Sequence, residues 1–376
     1  MRRLLGFARD LLRGHALERG TPAPFKLTFV VTDECSCRCA ICLLWKAPRR
    51  GPPTDEIDAL FRANPQLSWI NLSGGEVAER PDFPAIVDSA VRHTRVAALD
   101  FPTAGQRPDA VVSAVKAALR TELPRLFVTV SIDGPPALHD ALRGTPHAFQ
   151  RAIETIDGLR ALADSRLAVY VGLTFSSRND VDPERVVADL LSAAPRLRRE
   201  DLHFNVAHHS PHYYRNRPGD SPDPTRIARF LRSESERRSR AFRSFDWLER
   251  AYWQLASDFL TTGSTPLPCS ALHASAYVDP DLMVYPCATW DHPLGNLRDH
   301  GLSLSTLLSR TEALAARADA RALRCPNCFT PCEAYPMMLT QRVATIEALL
   351  RSAGQTSSGA MARAQAETDG TPRSTP

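Results

Sequence analysis

The sequence predicts an α/β protein of repeated strand–helix units around a parallel sheet or barrel, followed by a smaller cysteine-rich region. Three observations carry this. Residues 26–206 alternate short β-rich apolar runs with longer helical patterns. The nine cysteines fall into two groups, 35–42 and 269–332, with none between. Glycine, serine and acidic residues gather where successive strands should end, the functional end of parallel βα architectures.

The first twenty residues place Leu4, Leu5, Phe7, Leu11 and Leu12 near one side of a helix. Such a helix packs on its own domain, or else lies on a membrane interface or a partner. Strands are expected at 26–32, 69–73, 97–102, 125–132, 168–175 and 203–207, with helices at 54–63, 84–93, 110–120, 148–163 and 183–192, several opened by Asp or Pro. Residues 208–224, rich in His, Pro, Tyr and Asp, read as a loop. One long helix should follow from 224 to 260, its basic run at 232–243 forming a solvated face. Strand, turn, strand is the pattern around Asp279-Pro280-Asp281. The expected division is an N-terminal helical extension (1–24), a core domain (25–215), a helical connector (216–264), a cysteine-rich domain (265–345) and a disordered tail (352–376).

Composition excludes some partners. The net charge of +4 is diffuse, and lysine stands only at 26, 46 and 116, so nucleic acid is not expected as a partner. No stretch reaches the roughly 18 to 20 apolar residues of a transmembrane segment. Arg9, Asp10 and Arg13 interrupt the N-terminal apolar run, which leaves no secretory signal and points to the reducing cytoplasm, where cysteine clusters bind metals or do chemistry.

The segment Cys35-Ser36-Cys37-Arg38-Cys39-Ala40-Ile41-Cys42 sits where the first strand gives way to a loop. Cys35, Cys39 and Cys42 can wrap three corners of an iron–sulfur cubane and leave one iron open. Cys37 is then a small buried filler rather than a ligand. Zinc is the alternative, although structural zinc sites usually draw paired ligands from two separate knuckles. After the second strand comes Leu72-Ser73-Gly74-Gly75-Glu76. Glycine there lets backbone approach a ligand closely, and the carboxylate can accept from an ammonium group. The fourth strand ends in Ser131-Ile132-Asp133-Gly134, followed by His139-Asp140 and Arg143-Gly144. These polar residues suit ligand contacts, and equally loop caps or ion pairs. Thr174 and Asn179 are candidates of the same kind, and Thr103-Ala104-Gly105 is assigned no role.

The spacing Cys35-x3-Cys39-x2-Cys42 resembles the motif of the radical S-adenosylmethionine (radical SAM) superfamily, and the later elements resemble its GGE, SIDG and HDxxRG motifs in order. The resemblance implies a partial (β/α)6 TIM-like barrel, open on one side, with SAM across the strand C-termini. Cys35, Cys39 and Cys42 would hold a [4Fe–4S] cluster whose open iron chelates SAM. Gly74, Gly75 and Glu76 would bind its methionine portion, Ile41 would pack on adenine where the family usually has an aromatic residue, and Ser131, Asp133 and Arg143 would meet polar groups of SAM or substrate. Val77 replaces the proline that usually follows GGE, and Ala104 departs from the family's TNG. Cys269 and Cys287 flanking a hairpin, Cys325-x2-Cys328-x3-Cys332, and Gly295-Asn296-Leu297 resemble a twitch or SPASM extension. Five cysteines support one auxiliary [4Fe–4S] cluster, on Cys269, Cys287, Cys325 and Cys328, with Cys332 substituting for one of the last pair; zinc is the rival metal here.

The implied activity is reductive cleavage of SAM to a 5′-deoxyadenosyl radical that takes hydrogen from a substrate carbon. The substrate read first is a peptide, since the motif combination resembles maturases, and the alternatives are a small metabolite or a lipid. A flavodoxin or ferredoxin would donate electrons. A noncatalytic iron–sulfur or zinc protein is the rival of another class. The loop His208–Tyr214 would contact substrate, through Tyr213 or Tyr214, or would close the barrel and pack on the long helix.

Overall fold

The computed structural model describes residues 2–13, 24–238 and 244–350. The expected tail at 352–376 and part of the expected N-terminal extension lie outside the described residues. The first helix, α1 (Arg2–Arg13), packs on the chain itself. Its Arg3 donates to the carbonyls of Val91 and Thr94, each at 2.7 Å, and Phe7 stands edge-on to Phe25 and Trp69.

Six strands then run parallel: β1 (Lys26–Thr32), β2 (Trp69–Gly74), β3 (Ala98–Thr103), β4 (Arg125–Ser131), β5 (Leu167–Phe175) and β6 (Leu202–Val206). They lie side by side in chain order, the arrangement of a partial (β/α)6 barrel. Between them come α2 (Thr54–Ala63), α3 (Phe83–His93), α4 (Pro108–Ala118), α5 (Pro136–Arg143), α6 (Ala148–Ala161) and α7 (Pro183–Ala193). Strand positions agree with the sequence pattern to within one residue. Helix α5 was not expected; Pro136 starts it, and Gly144 stops it in the left-handed region at φ 60°.

The expected single helix at 224–260 is instead two, α8 (Pro224–Arg237) and α9 (Ser244–Thr262). One helix of that length would extend about 55 Å and leave its apolar stripe uncovered. The pair instead runs antiparallel, tied by Arg232–Asp258 at 3.1 Å and Ser235 Oγ to the Arg250 carbonyl at 3.1 Å, and buries Ile227, Phe230 and Trp253 together. Within the run expected as a solvated face, Glu234 is buried against Arg199 at 2.6 Å and Arg238 is buried against Glu249.

Alternation along each strand sends apolar side chains to the helix-covered outer face: Leu27, Phe29 and Val31 on β1, Ile70 and Leu72 on β2, Val128 and Val130 on β4. The opposite, inner face carries Lys26, Thr28, Asn71, Ser73 and Asp100, so it is polar where a closed barrel would be packed with branched apolar residues.

The cysteine-rich region does not form a sheet of its own. Its first strand, β7 (Ser275–Val278), pairs parallel to β1 from Lys26↔Ser275 to Phe29↔Val278. With β8 (Met283–Tyr285) and β9 (Gly295–Asn296) it extends the barrel sheet to nine strands in the order β6-β5-β4-β3-β2-β1-β7-β8-β9. The edge of β1 that a closed barrel would give to β6 is therefore taken. Helices α10 (Leu304–Leu308), α11 (Thr311–Arg321) and α12 (Pro331–Thr340) follow.

Helix α12 meets the inner face through buried polar groups. Ser275 donates to Glu333 at 2.5 Å, and Lys26 Nζ donates to the Cys332 carbonyl and lies 5.1 Å from the centre of the Trp69 ring. Burial raises the pKa of both Asp100 and Glu333, and the Lys26 charge opposes it. Replacing Lys26 by Met leaves those two carboxyls without their cation. We expect Lys26→Met to lose roughly 3 kcal/mol of stability at neutral pH in denaturant titration, with partial recovery below about pH 5, where carboxyls take up protons.

Candidate metal and cofactor site

The loop that leaves β1 carries Cys35, Cys37, Cys39 and Cys42, and neighbouring segments hold its backbone. Asp33 N–H donates to the Arg49 carbonyl at 2.8 Å, Arg38 N–H to Arg143 at 2.9 Å, Ala40 N–H to Leu142 at 2.9 Å and Leu43 N–H to Tyr214 at 2.8 Å. The end of α5 and the loop after β6 thus grip it from two sides. A β-carbon on Gly144 would stand 2.4 Å from the Arg38 carbonyl oxygen, so glycine is required there for approach as well as for φ.

A third grip comes from the loop after β2. Gly75 N–H donates to Thr32 at 2.7 Å and Glu76 N–H to Glu34 at 2.8 Å. A β-carbon on Gly74 would meet the Thr32 carbonyl oxygen at 2.0 Å, and one on Gly75 would meet that of Glu34 at 2.0 Å. These glycines admit the backbone of the cysteine loop, a close approach that sequence alone did not assign to them.

Cys35, Cys39 and Cys42 are half-buried and Cys37 is buried. The Cys37 thiol hydrogen-bonds with Cys35 and Cys39, which together with its burial agrees with a filler role. Donation from Cys37 favours the Cys39 thiolate, and the nearby Arg143 guanidinium adds to the effect. Burial pushes Cys42 up to about 12.

Glu76 is buried at 2% exposure. Its Oε2 accepts from Ala104 N–H at 2.8 Å, and Thr103 supplies a second hydrogen bond, while Oε1 has no partner. Burial nevertheless pushes its carboxyl up to about 7. Thr103 and Ala104 belong to the tripeptide given no role from sequence. The signal that marks them is position, at the end of the strand beside β2. Val77, in the place of the expected proline, is fully buried in the main core.

Asp133 and Arg143 form one unit at 2.7 Å, and Arg143 Nη1 lies 3.8 Å from the Cys39 sulfur. Asp133 N–H donates to His139 Nδ1 at 3.1 Å, which makes that nitrogen the acceptor; burial pushes His139 down to about 4. Asn179 donates to the carbonyls of Asp133 at 2.9 Å and Thr174 at 3.0 Å, tying the ends of β4 and β5. Asp140 caps α6, accepting from His147 and Phe149. Asp140 and Asn179 thus brace the site. Ser131, half-buried, closes β4 opposite Gly172, and Ile41 is half-buried on the loop.

The loop after β6 divides its side chains. His208 stacks at 6.2 Å on Phe259 of α9, matching the barrel-closing alternative. Tyr213 bonds Ser73 at 2.5 Å and lies 4.2 Å from Tyr214 and 5.6 Å from Tyr277, and His212 reaches the Cys287 carbonyl at 3.0 Å. These aromatics join the two cysteine regions.

In the second region Cys287 hydrogen-bonds with Cys328 and with Thr289, and Cys269 and Cys325 lie within electrostatic reach of Cys287. Cys332 also lies within electrostatic reach of Cys287. On the first turn of α12, burial pushes its thiol up to about 11, and the Lys26 charge opposes this. None of the nine cysteines is in a disulfide. Among the described residues, no three His, Cys, Asp or Glu side chains are grouped as a single metal ion requires.

No family model matches the chain. Mycofactocin maturase MftC of Mycobacterium ulcerans is 33% identical over 192 residues, covering 48% of this chain and 49% of that protein. The sporulation killing factor maturation protein SkfB of Bacillus subtilis is 23% identical over 312 residues, covering 80% of this chain and 69% of that protein. Among solved structures, anSMEcpe with bound AdoMet and Cp18Cys peptide superposes with a TM-score of 0.56 at 14% identity, covering 79% of this chain and 83% of that one. The chain is thus similar to these maturases in sequence and to the AdoMet-bound anSMEcpe in fold. It spans about half the length of the maturase relatives it matches first. The partial barrel with a C-terminal extension is the fold it shares with that structure. No described helix is long and apolar enough to cross a membrane.

Glu76 gives the site a pH signature that needs no metal. Folded, its carboxyl keeps a proton to about pH 7; unfolded, it releases it near the ordinary 4.5. Between those limits the folded state binds more protons than the unfolded one, so stability falls as pH rises, by about 3 kcal/mol in all. In the metal-free protein, thermal melting from pH 4.5 to 7.5 should show Glu76→Gln gaining on the parent across that window and holding a constant difference above it.

Proposed function

We propose that this chain is a radical SAM enzyme that cleaves S-adenosylmethionine reductively at a [4Fe–4S] cluster on Cys35, Cys39 and Cys42, and takes hydrogen from a carbon of a peptide. One juxtaposition carries the reading: three thiols on a clamped loop stand near a half-buried guanidinium, on a barrel end that also holds a buried carboxyl group with one oxygen unpartnered. That donor set fits the groups. Three thiolates leave one corner of a cubane free. The unpartnered Oε1 of Glu76 suits an ammonium donor, and the Arg143 fork suits a carboxylate.

When bound, the reduced cluster and SAM supply a 5′-deoxyadenosyl radical, chemistry that belongs to the cofactors rather than to side chains. The chain's residues hold and orient. Glu76, fixed by Thr103 and Ala104, would receive the methionine ammonium of SAM, with the backbone of Gly74 and Gly75 beside it. Ile41 would cover adenine, and Ser131 and Asp133 would meet polar groups above β4. Cys269, Cys287, Cys325 and Cys328 would hold an auxiliary [4Fe–4S] cluster, with Cys332 left as a thiol on α12, whose neighbour Glu333 and whose own carbonyl engage Ser275 and Lys26 of the inner face.

The peptide is supported by the maturase names of the sequence relatives and by the peptide in the anSMEcpe structure. The polar inner face, able to meet amide groups, agrees. A flavodoxin or ferredoxin would be the donor, and nine cysteines with no disulfide among them support a reducing cytoplasm. The proposed division keeps the core at 25–215, the connector at 216–264 and the auxiliary region at 265–345.

Anaerobic reconstitution tests this. Two cubanes per chain and reductant-dependent release of 5′-deoxyadenosine are expected. Serine at 35, 39 and 42 should remove one cluster and all SAM cleavage, serine at 325 and 328 the other cluster, and Cys332→Ser neither. Zinc without iron would overturn the reading, and iron without SAM cleavage would point to a noncatalytic iron–sulfur protein.

A further inference from the structure

β1 and β7 pair as far as Phe29↔Val278 and then part. Beyond that point β1 runs into the cysteine loop and β7 into the turn Asp279-Pro280-Asp281. Arg49 fills the divergence. Its Nε meets Asp33 at 2.6 Å, and its Nη1 meets Asp279 at 2.6 Å and Asp281 at 2.8 Å. The Arg49 carbonyl also accepts from Asp33 N–H, so the residue holds Asp33 from both ends. Arg215, directly after Tyr214, reaches the same Asp33 oxygen at 3.0 Å and the Ala47 carbonyl at 2.7 Å.

Asp33 is fully buried and stands two residues before Cys35. Asp279 has its other oxygen, Oδ1, committed to the turn, accepting from Asp281 and Met283 N–H at 2.9 Å each. Its ribbon begins and ends at Cys269 and Cys287. A rigid planar guanidinium spanning two fixed carboxylates cannot follow one without moving the other.

We infer that Arg49 is a positioning residue that couples the Cys269–Cys287 ribbon to the Cys35–Cys42 loop, so that loading of the auxiliary cysteines sets how the first site receives SAM. This rests on the proposed radical SAM reading. Coupling of this kind appears as a shared free energy between two sites, and its mark is non-additivity.

The readout is the SAM concentration that half-converts the electron paramagnetic resonance signal of the reduced first cluster, measured on the full chain alongside iron content. Arg49→Met should raise that concentration roughly tenfold with auxiliary iron retained. Removing the auxiliary cluster by Cys325→Ser with Cys328→Ser should raise it by a similar factor. Combining the changes should raise it no further than either alone. Arg49→Lys, which keeps the charge without the fork, should fall between parent and Met. Multiplied effects in the combined protein, or an unchanged SAM response in Arg49→Met, would overturn the coupling. Should the serine pair fail to fold, Asp279→Asn combined with Arg49→Met gives the same cycle from the ribbon side, because an amide retains the Oδ1 acceptor of the turn. A parent whose cluster signal ignores SAM altogether refutes the radical SAM reading instead.

Discussion

The site depends on one constraint: the loop carrying the three thiols is held by backbone hydrogen bonds from other segments. Gly75 and Glu76 bind it at residues 32–34, Leu142 and Arg143 at 38–40, and Tyr214 at 43. Thiols on an unsupported loop would first have to be ordered, at a cost of about 1–2 kcal/mol per residue. Here glycines at 74, 75 and 144 remove the side chains that would keep those segments apart. The glycines, the α5 terminus and the loop after β6 have one common effect.

The same economy of contacts explains why the barrel stays open. β7 occupies the edge of β1 that closure would need, and α12 lays Cys332 and Glu333 against the inner face. Polar inner residues that would be costly in a packed core are satisfied by one another: Trp69 donates to Asp100 at 2.6 Å, Asn71 also donates to it, and Lys26 is shared between Thr28 and the Cys332 carbonyl. Asn71 Oδ1 and Tyr277 Oη remain without partners, unlike the groups around them.

Much of this was legible in the sequence because the signals are local. Strand alternation gave six strands nearly to the residue, and cysteine spacing marked both groups. What escaped acts over distance or through backbone. Ala104 serves Glu76 through its N–H, which any residue but proline could provide, so its side chain carried no signal. Arg49 meets its partner Asp279 across 230 residues of chain, beyond any motif. The spacing of Cys332 made it interchangeable with its neighbours, and only the structure shows that its carbonyl meets Lys26 of β1. Helix α5 has only eight residues, too short for its apolar spacing to stand out from a loop, and α8 and α9 separate because burial is gained by folding back rather than by continuing.

The pairing of β7 with β1 bears on how the chain is made. About 250 residues must be synthesised after β1 before its second neighbour exists, roughly 12 to 50 seconds at ordinary elongation rates. During that interval a strand with unsatisfied amides lies at the border of a half-finished sheet, where another growing chain could join it. Yield in a heterologous host should therefore be governed by chaperone supply during translation more than by the stability of the finished fold.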